Sequence, residues 1–465
     1  MDYRIEEHAE QNEISDNNNI GLPKRFKVFT RSTIDKISKL HNLNHRLINE
    51  MKIVAHVLPF KVNNYVLDNL IDWNEVPNDP IFRLVFPQKN MLIPKHFRKM
   101  KKALKSESKK IIKSTAKEIR MELNPYPAGQ ISYNVPTFQR KKLNGVQHKY
   151  RETALLFPRS GQTCHAYCTF CFRWSQFVSL KTKDKFGVKS VDNFIAYLQE
   201  NPEITDVLIT GGDPMIMCFN RLVRFIQPIV NAEIPHLRTI RIGSKSLTYW
   251  PMRYIDDPDS DYVLGLFSNI TDKGLNLCFM AHINHYQEME SFYFKMAVEE
   301  IKKTGAQILT QTPLLNQINA SSDILAKMWK LQIDYNMVPY YLFIARDTGA
   351  QHYFSVPLVK AWEIFSKAYT KVSGICRTIR GPSMSCSPGK VNVLGPTKIN
   401  GEKVLALSFI QGRNPSWVNK PFFAKYNPKA IWLSDLEPAF DEQFFFEKDY
   451  DKFLGPYNEI KKYID

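Results

Sequence analysis

At 465 residues the chain has material for two or three domains with buried cores. It is 44% hydrophobic and 23% charged, an ordinary globular mixture, and no apolar run approaches the roughly 20 residues a membrane helix needs. A net charge of +17 raises a nucleic-acid reading, while seven cysteines, three of them crowded, argue against a secreted disulfide framework and for reduced thiols.

The start, MDYRIEEHAEQNEISDNNN, is polar and acidic, the signature of neither a secretory signal nor a transit peptide. The expected compartment is the cytosol, and residues 1–25 read as a disordered leader. From 26 to 149 the pattern is mostly helical and ends in a linker; WNEVPNDPIF (Trp73–Phe82) interrupts it. Much of the positive charge sits between Pro94 and Arg120. There Phe97, Met100, Leu104, Ile111, Ile112 and Ile119 suit one face of helical segments, with lysines on the other. A solvated helical face accounts for these lysines better than a phosphate-tracking surface, because no aromatic interleaving or nucleic-acid motif accompanies them.

Over 150–375 the texture changes. Short β-rich runs at 153–158, 205–210, 237–242, 275–282, 306–311 and 339–345 alternate with helical stretches such as Phe219–Val230 and Met296–Gly305. Such alternation implies a parallel sheet with crossover helices, open or curled towards a barrel. Residues 376–465 form a C-terminal segment, a hairpin about Asn400-Gly401 followed by an aromatic-rich extension. In α/β folds the working residues gather at the C-terminal ends of strands. GQTCHAYCTFCFRW (Gly161–Trp174) follows the first run and GGDP (Gly211–Pro214) the second, so the two share a face. His282 and His285 end the fourth run on that face.

Cys164, Cys168 and Cys171, four and three apart, can fold round one cluster with each thiolate on a different iron. The fourth iron is then open to a substrate, as in catalytic metal sites. A zinc site completed by a distant His or Cys, or three small buried residues, are the competing readings. Phe170 would shield a cluster from water.

The Cys-x-x-x-Cys-x-x-Cys pattern with an aromatic before its last cysteine, and GGDP one strand–helix unit later, resemble the radical S-adenosylmethionine (SAM) enzymes. PNDPIFRLVFPQ, NPYPAGQ, RIGSKSLTYWPMR, HINHYQE and QTPLLNQIN narrow the resemblance to the lysine 2,3-aminomutase family. It implies a partial (β/α)6 radical-SAM barrel and a [4Fe-4S] cluster on Cys164, Cys168 and Cys171. It puts SAM against Gly211, Gly212, Asp213 and Pro214, and pyridoxal 5'-phosphate on Lys390 in GPSMSCSPGKVNVLG. Gln311 and Tyr150 fall in the cofactor pocket, Arg151 lies close to the family's phosphate arginine, and Arg173 matches the arginine that grips the substrate carboxylate. The implied reaction moves an amino group from the α- to the β-carbon of an amino acid, a small-molecule substrate. An electron donor such as flavodoxin or ferredoxin is implied as a partner, and a homo-oligomer is compatible with it.

The chain departs from the family at the substrate's far end. Members that bind lysine hold its distal ammonium with two acidic residues; here Arg346 occupies the first position, with Asp347 one residue on, and Ser383 the second. A cation there would repel lysine and favour an anionic or polar group. No cysteine follows Cys386, so the family's terminal zinc cluster is missing. Two other readings stay open: a radical SAM enzyme working without pyridoxal phosphate, and a basic nucleic-acid-binding protein with a structural metal.

Overall fold

The computed structural model of the protein describes residues 25–462 apart from 38–39, 41 and 179–185; all but the last residue of the expected leader lies outside the described residues. Eleven strands form one mixed sheet whose spatial order follows the chain. They are β1 (Val146–Tyr150), β2 (Thr153–Leu156), β3 (Asp206–Ile209), β4 (Thr239–Ser244), β5 (Asn276–His282), β6 (Gln307–Leu314), β7 (Val338–Ile344), β8 (Arg380–Ser385), β9 (Gly389–Ile399), β10 (Glu402–Gly412) and β11 (Pro421–Lys425). Strands β2 to β8 run parallel; β1 and β9 to β11 pair antiparallel at the two ends of the row.

The longer helices are α1 (His45–Val54), α2 (Pro94–Lys105), α3 (Lys109–Glu122), α4 (Asp192–Glu200), α5 (Phe219–Asn231), α6 (Ser260–Asp272), α7 (Phe292–Lys303), α8 (Ser322–Asp334), α9 (Leu358–Tyr369) and α10 (Glu447–Lys462). Helices α4 to α9 are the crossovers between successive parallel strands. Each lays an apolar stripe on the sheet: Leu222, Phe225, Ile226 and Ile229 from α5, Leu325, Met328 and Trp329 from α8. Gly305, at φ +79°, turns the chain out of α7 into β6, a left-handed conformation that glycine adopts at no steric cost.

All six β-rich runs are strands, β2 to β7. Arg380–Ser385, read as part of a glycine-rich stretch, is an additional parallel strand, buried at Gly381 to Met384. The hairpin turns at Asn400 and Gly401, both with positive φ.

The N-terminal region has its own apolar core, built on Met51, Val54, Phe82, Phe86, Met100 and Ile119 and continuous with Trp174 and Tyr249 near the sheet's rim. The Pro94–Arg120 stretch divides at Ser106–Ser108, where Glu107 has φ +55° and the Ser108 hydroxyl accepts from Ile111 N to cap α3. That break rotates Ile111 off the expected face. It is 47% exposed, while Phe97, Met100 and Ile119 are buried.

The sheet curls strongly. Lys390 Nζ on β9 lies 5.9 Å from the centre of the Tyr150 ring on β1. A flat sheet would separate strands eight rows apart by about 38 Å, at about 4.8 Å per strand. No helix among the described residues is long and apolar enough to cross a membrane.

Phe279 is fully buried on β5 between the rings of Tyr254 and Phe267. Phe279→Ala should cost about 3–5 kcal/mol in urea unfolding; a loss under about 1 kcal/mol would contradict the packing described.

Candidate active site

The loop after β2 is a series of tight turns. Cys171 N donates to Cys168 O and Trp174 N to Cys171 O. The N-terminal region pins it through Tyr167 N to Lys61 O and Thr169 N to Leu84 O, both 2.8 Å. From the other side Trp174 Nε1 donates to Thr348 Oγ1 at 2.9 Å. Cys164, Cys168 and Cys171 are free thiols lining a single cavity of about 350 Å³. Among the described residues no three His, Cys, Asp or Glu side chains are grouped to hold one metal ion. Burial pushes Cys168 up to about 12 and Cys171 up to about 11, and raises Cys164 well above the thiol range. Thiols in such surroundings keep their protons unless a metal replaces them. A three-thiol donor set at the wall of a cavity fits a cluster with one open iron.

GGDP follows β3 and packs directly on this loop. Asp213 N donates to Thr163 O at 2.7 Å and to Gly161 O at 3.1 Å. A Cβ on Gly212 would stand 2.4 Å from Thr163 O, and one on Gly211 2.2 Å from Gln162 Nε2. Gly212 is therefore required by the approach of the two loops, whereas at Gly211 the neighbour is the end of a flexible side chain and the constraint is its φ of +155°. Asp213 is buried, with Oδ1 accepting from Met215 N and Ser244 Oγ and Oδ2 from Lys245 N. Burial raises it to about 6 despite those bonds. Both oxygens are engaged by the protein; Pro214 starts the short 3₁₀ turn behind them.

Lys390 reaches the cavity from the β8–β9 end. Its Nζ donates to Gln411 Oε1 at 2.9 Å and sits 3.9 Å from the Tyr341 ring centre. Burial first, then the charges of Arg241 and Arg380, bring its pKa down to about 7. Tyr150 and Gln311 line the same cavity. A lysine that sheds its proton near neutrality beside a flat aromatic face fits a pyridoxal aldehyde. Arg151 is exposed, outside the cavity. Ser383 is buried with its hydroxyl on Leu342 O.

Arg173 is 8% exposed, its guanidinium 4.2 Å from the Phe157 ring centre and 5.0 Å from that of Phe172. Its Nη1 has no hydrogen-bond partner among the described residues. His282 Nε2 is likewise buried without a partner, and its ring stands edge-on to Phe170, 5.6 Å away. His285 instead caps the loop after β5 through Gln287 N. Arg346 lines the cavity, but Asp347 does not. It lies on a neighbouring cavity with Cys386 and Ser387, so the one-residue shift that would offer a carboxylate to the site does not occur.

Sequence reading missed several contributors to the wall, among them Lys149, Tyr341 and Gln411. Only Gln411 had a signal, because counting outward from the Asn400-Gly401 turn pairs it with Lys390. The reading also missed the buried support beneath. There Lys245 Nζ donates to Glu288 Oε1 at 2.5 Å and Asn284 Oδ1 at 2.9 Å.

Compared with known proteins, the chain is 31% identical over 386 residues to an Aquifex aeolicus (strain VF5) protein named "Putative L-lysine 2,3-aminomutase", spanning 83% of this chain and 90% of that one. The chain belongs to the lysine 2,3-aminomutase family. The L-lysine 2,3-aminomutase of Escherichia coli (strain K12) is 26% identical over 51% of this chain and 64% of its own length. That of Fusobacterium nucleatum is 25% identical, over 58% and 66%. The family's enzymes are isomerases of the radical SAM type that use a 4Fe–4S cluster, SAM and pyridoxal phosphate. No family model matches the chain. Among solved structures, Streptococcus suis SuiB bound to S-adenosylmethionine has a TM-score of 0.34 at 11% identity, over 60% of this chain and 58% of that one. A radical SAM methyltransferase from Sphaerobacter thermophilus also scores 0.34, at 14% identity, over 53% and 68%. At these scores the likeness carries no argument.

Gly212→Ala should strip iron from the anaerobically reconstituted protein, because its Cβ meets backbone that cannot turn aside. Gly265→Ala, with nothing within 4 Å, should retain it. Equal iron in both after gel filtration would contradict the loop packing.

Proposed function

We propose that the chain is a radical SAM, pyridoxal-phosphate-dependent 2,3-aminomutase acting on an α-amino acid. The observation that carries this reading is that Cys164, Cys168 and Cys171 open into the same cavity as Lys390, more than two hundred residues along the chain. When bound, the cluster with SAM supplies a carbon radical able to take hydrogen, and pyridoxal phosphate supplies a conjugated system across which nitrogen can move.

The three cysteines would hold the cluster, and the Gly211–Gly212 turn the wall beside it. Lys390 would hold the pyridoxal aldehyde through Nζ, with Gln411 Oε1 aiming that nitrogen and the Tyr341 ring limiting its swing. With a pKa of about 7, Nζ is free to lose a proton near neutrality and take one back. Arg173 would bind the substrate carboxylate through its unpartnered Nη1, in a fork geometry that a lysine lacks. Phe170, Phe172, Phe177 and Phe343 line the cavity and keep water from it.

The curled sheet reads as a partial (β/α)6 barrel, supported by the contact between β1 and β9 and by a cavity lined from β2 round to β10. The expected one-electron donor, of the flavodoxin or ferredoxin kind, suits a chain of net charge +17 if it is acidic. A radical SAM enzyme without pyridoxal phosphate is the reading to separate.

Borohydride reduction in the presence of pyridoxal phosphate should fix a pyridoxyl label on Lys390. Lys390→Ala should lose both label and amino-group migration while keeping iron and SAM cleavage. Label scattered over surface lysines, or migration surviving in Lys390→Ala, would overturn the proposal.

A further inference from the structure

Tyr249 ends a short helix after β4 (Ser246–Tyr249) and is almost fully buried where it meets the cavity wall. Its hydroxyl oxygen lies 3.9 Å from Cys168 Sγ, within reach of a hydrogen bond to sulfur, and has no other hydrogen-bond partner among the described residues. Cys168 is the one cysteine of the three with such a side-chain bond among those residues. A buried hydroxyl needs a good acceptor, and a neutral thiol is a weak one. A thiolate on a metal has lost its hydrogen and carries charge, so it can only accept, and accepts strongly.

The phenol is held to the sulfur from three sides. Asn63, fully buried in the N-terminal region, donates from Nδ2 to Tyr249 O at 2.9 Å and to His165 O at 3.4 Å. One side chain thus ties the tyrosine's backbone to the cysteine loop, and its own Oδ1 is fixed by Val66 N at 3.0 Å. Tyr249 N donates to Lys245 O at 3.0 Å. Over the ring stands Lys245 Nζ, 4.3 Å from its centre and anchored in turn by Glu288 and Asn284. The ring cannot swing away from Cys168 without leaving that ammonium.

We infer that Tyr249 donates its hydroxyl hydrogen to the Cys168 sulfur when that cysteine is bound to iron, and thereby raises the reduction potential of the cluster. The inference rests on the reading that Cys164, Cys168 and Cys171 hold an iron–sulfur cluster. As iron binds, the Cys168 thiol proton leaves to solvent, and the phenol supplies the only hydrogen left between the two atoms. A hydrogen bond to a ligating sulfur draws electron density from it and stabilises the reduced, more negative state. Tyr249 is therefore a positioning and tuning residue that acts through Cys168, and its effect is on how readily an outside donor can load the electron.

The test is a reductive titration of the anaerobically reconstituted full chain, without S-adenosylmethionine, followed by electron paramagnetic resonance. Tyr249→Phe keeps the ring and removes the O–H. At a fixed applied potential its ratio of reduced to oxidised cluster should fall about threefold or more, which is about 28 mV for one electron. A packing defect that let water in would also stabilise the more negative state, and so would move the ratio the other way. A ratio that rises, or falls by less than about threefold, overturns the inference. Should Tyr249→Phe lose its iron, 3-fluorotyrosine placed at position 249, a stronger donor of nearly the same size, must raise the ratio above that of the parent; no rise overturns the inference. A parent chain that takes up no iron would sink the cluster reading itself, whereas an unmoved ratio in a loaded variant sinks only the role of Tyr249.

Discussion

Seven strands running the same way impose one rim, and most of the groups at the site hang from it. The cysteine loop leaves β2, GGDP leaves β3, Lys245 follows β4, His282 ends β5 and Arg346 follows β7. A parallel row places all those ends on one edge, and the curl brings the row's two extremes together. Tyr150 and Lys390 meet only because of it. The antiparallel hairpin then turns the chain back so that Lys390 and Gln411 face each other across a register pair.

The second constraint is desolvation. A wall that buries thiols, guanidiniums and a lysine amine makes each either find a partner or change its protonation. The groups sort by which course they take. Asp213, Lys245 and Glu288 are spent on the fold: they lock the loop after β4 to GGDP and to the loop after β5. Lys390 is brought down to about 7, first by burial and then by the charges of Arg241 and Arg380. Arg173 and Arg346 each keep an N–H group without a hydrogen-bond acceptor among the described residues, Arg346 with the Asp347 carboxylate 3.6 Å away as its counter-charge. Chemistry and scaffold are separated by that difference, since a spent charge stabilises a loop and an unspent one recruits a ligand.

The parallel core was legible because buried strands read as short apolar runs and amphipathic helices as longer periodic ones. Arg380–Ser385 was not, because RGPSMS has neither β-branched residues nor alternation and is held by its neighbours rather than by propensity. Ile111 fitted a continuous helical face, and the break at Glu107 shifted its phase. The cysteines and GGDP stood out by spacing, whereas Lys149 and Tyr341 acquire meaning only from the curl, which no local pattern encodes. Asp347 and Arg346 differ by a single residue. Which of them enters the cavity is decided by how the chain leaves β7, and that is settled in three dimensions.

The account stands on an iron–sulfur cluster at Cys164, Cys168 and Cys171 with one iron open to the cavity. Low-temperature electron paramagnetic resonance of the reduced, anaerobically reconstituted protein, with and without S-adenosylmethionine, measures this directly. A reduced [4Fe-4S] signal whose g-values move when S-adenosylmethionine is added is the predicted result. A signal indifferent to S-adenosylmethionine, or zinc in place of iron on the three cysteines, would contradict it.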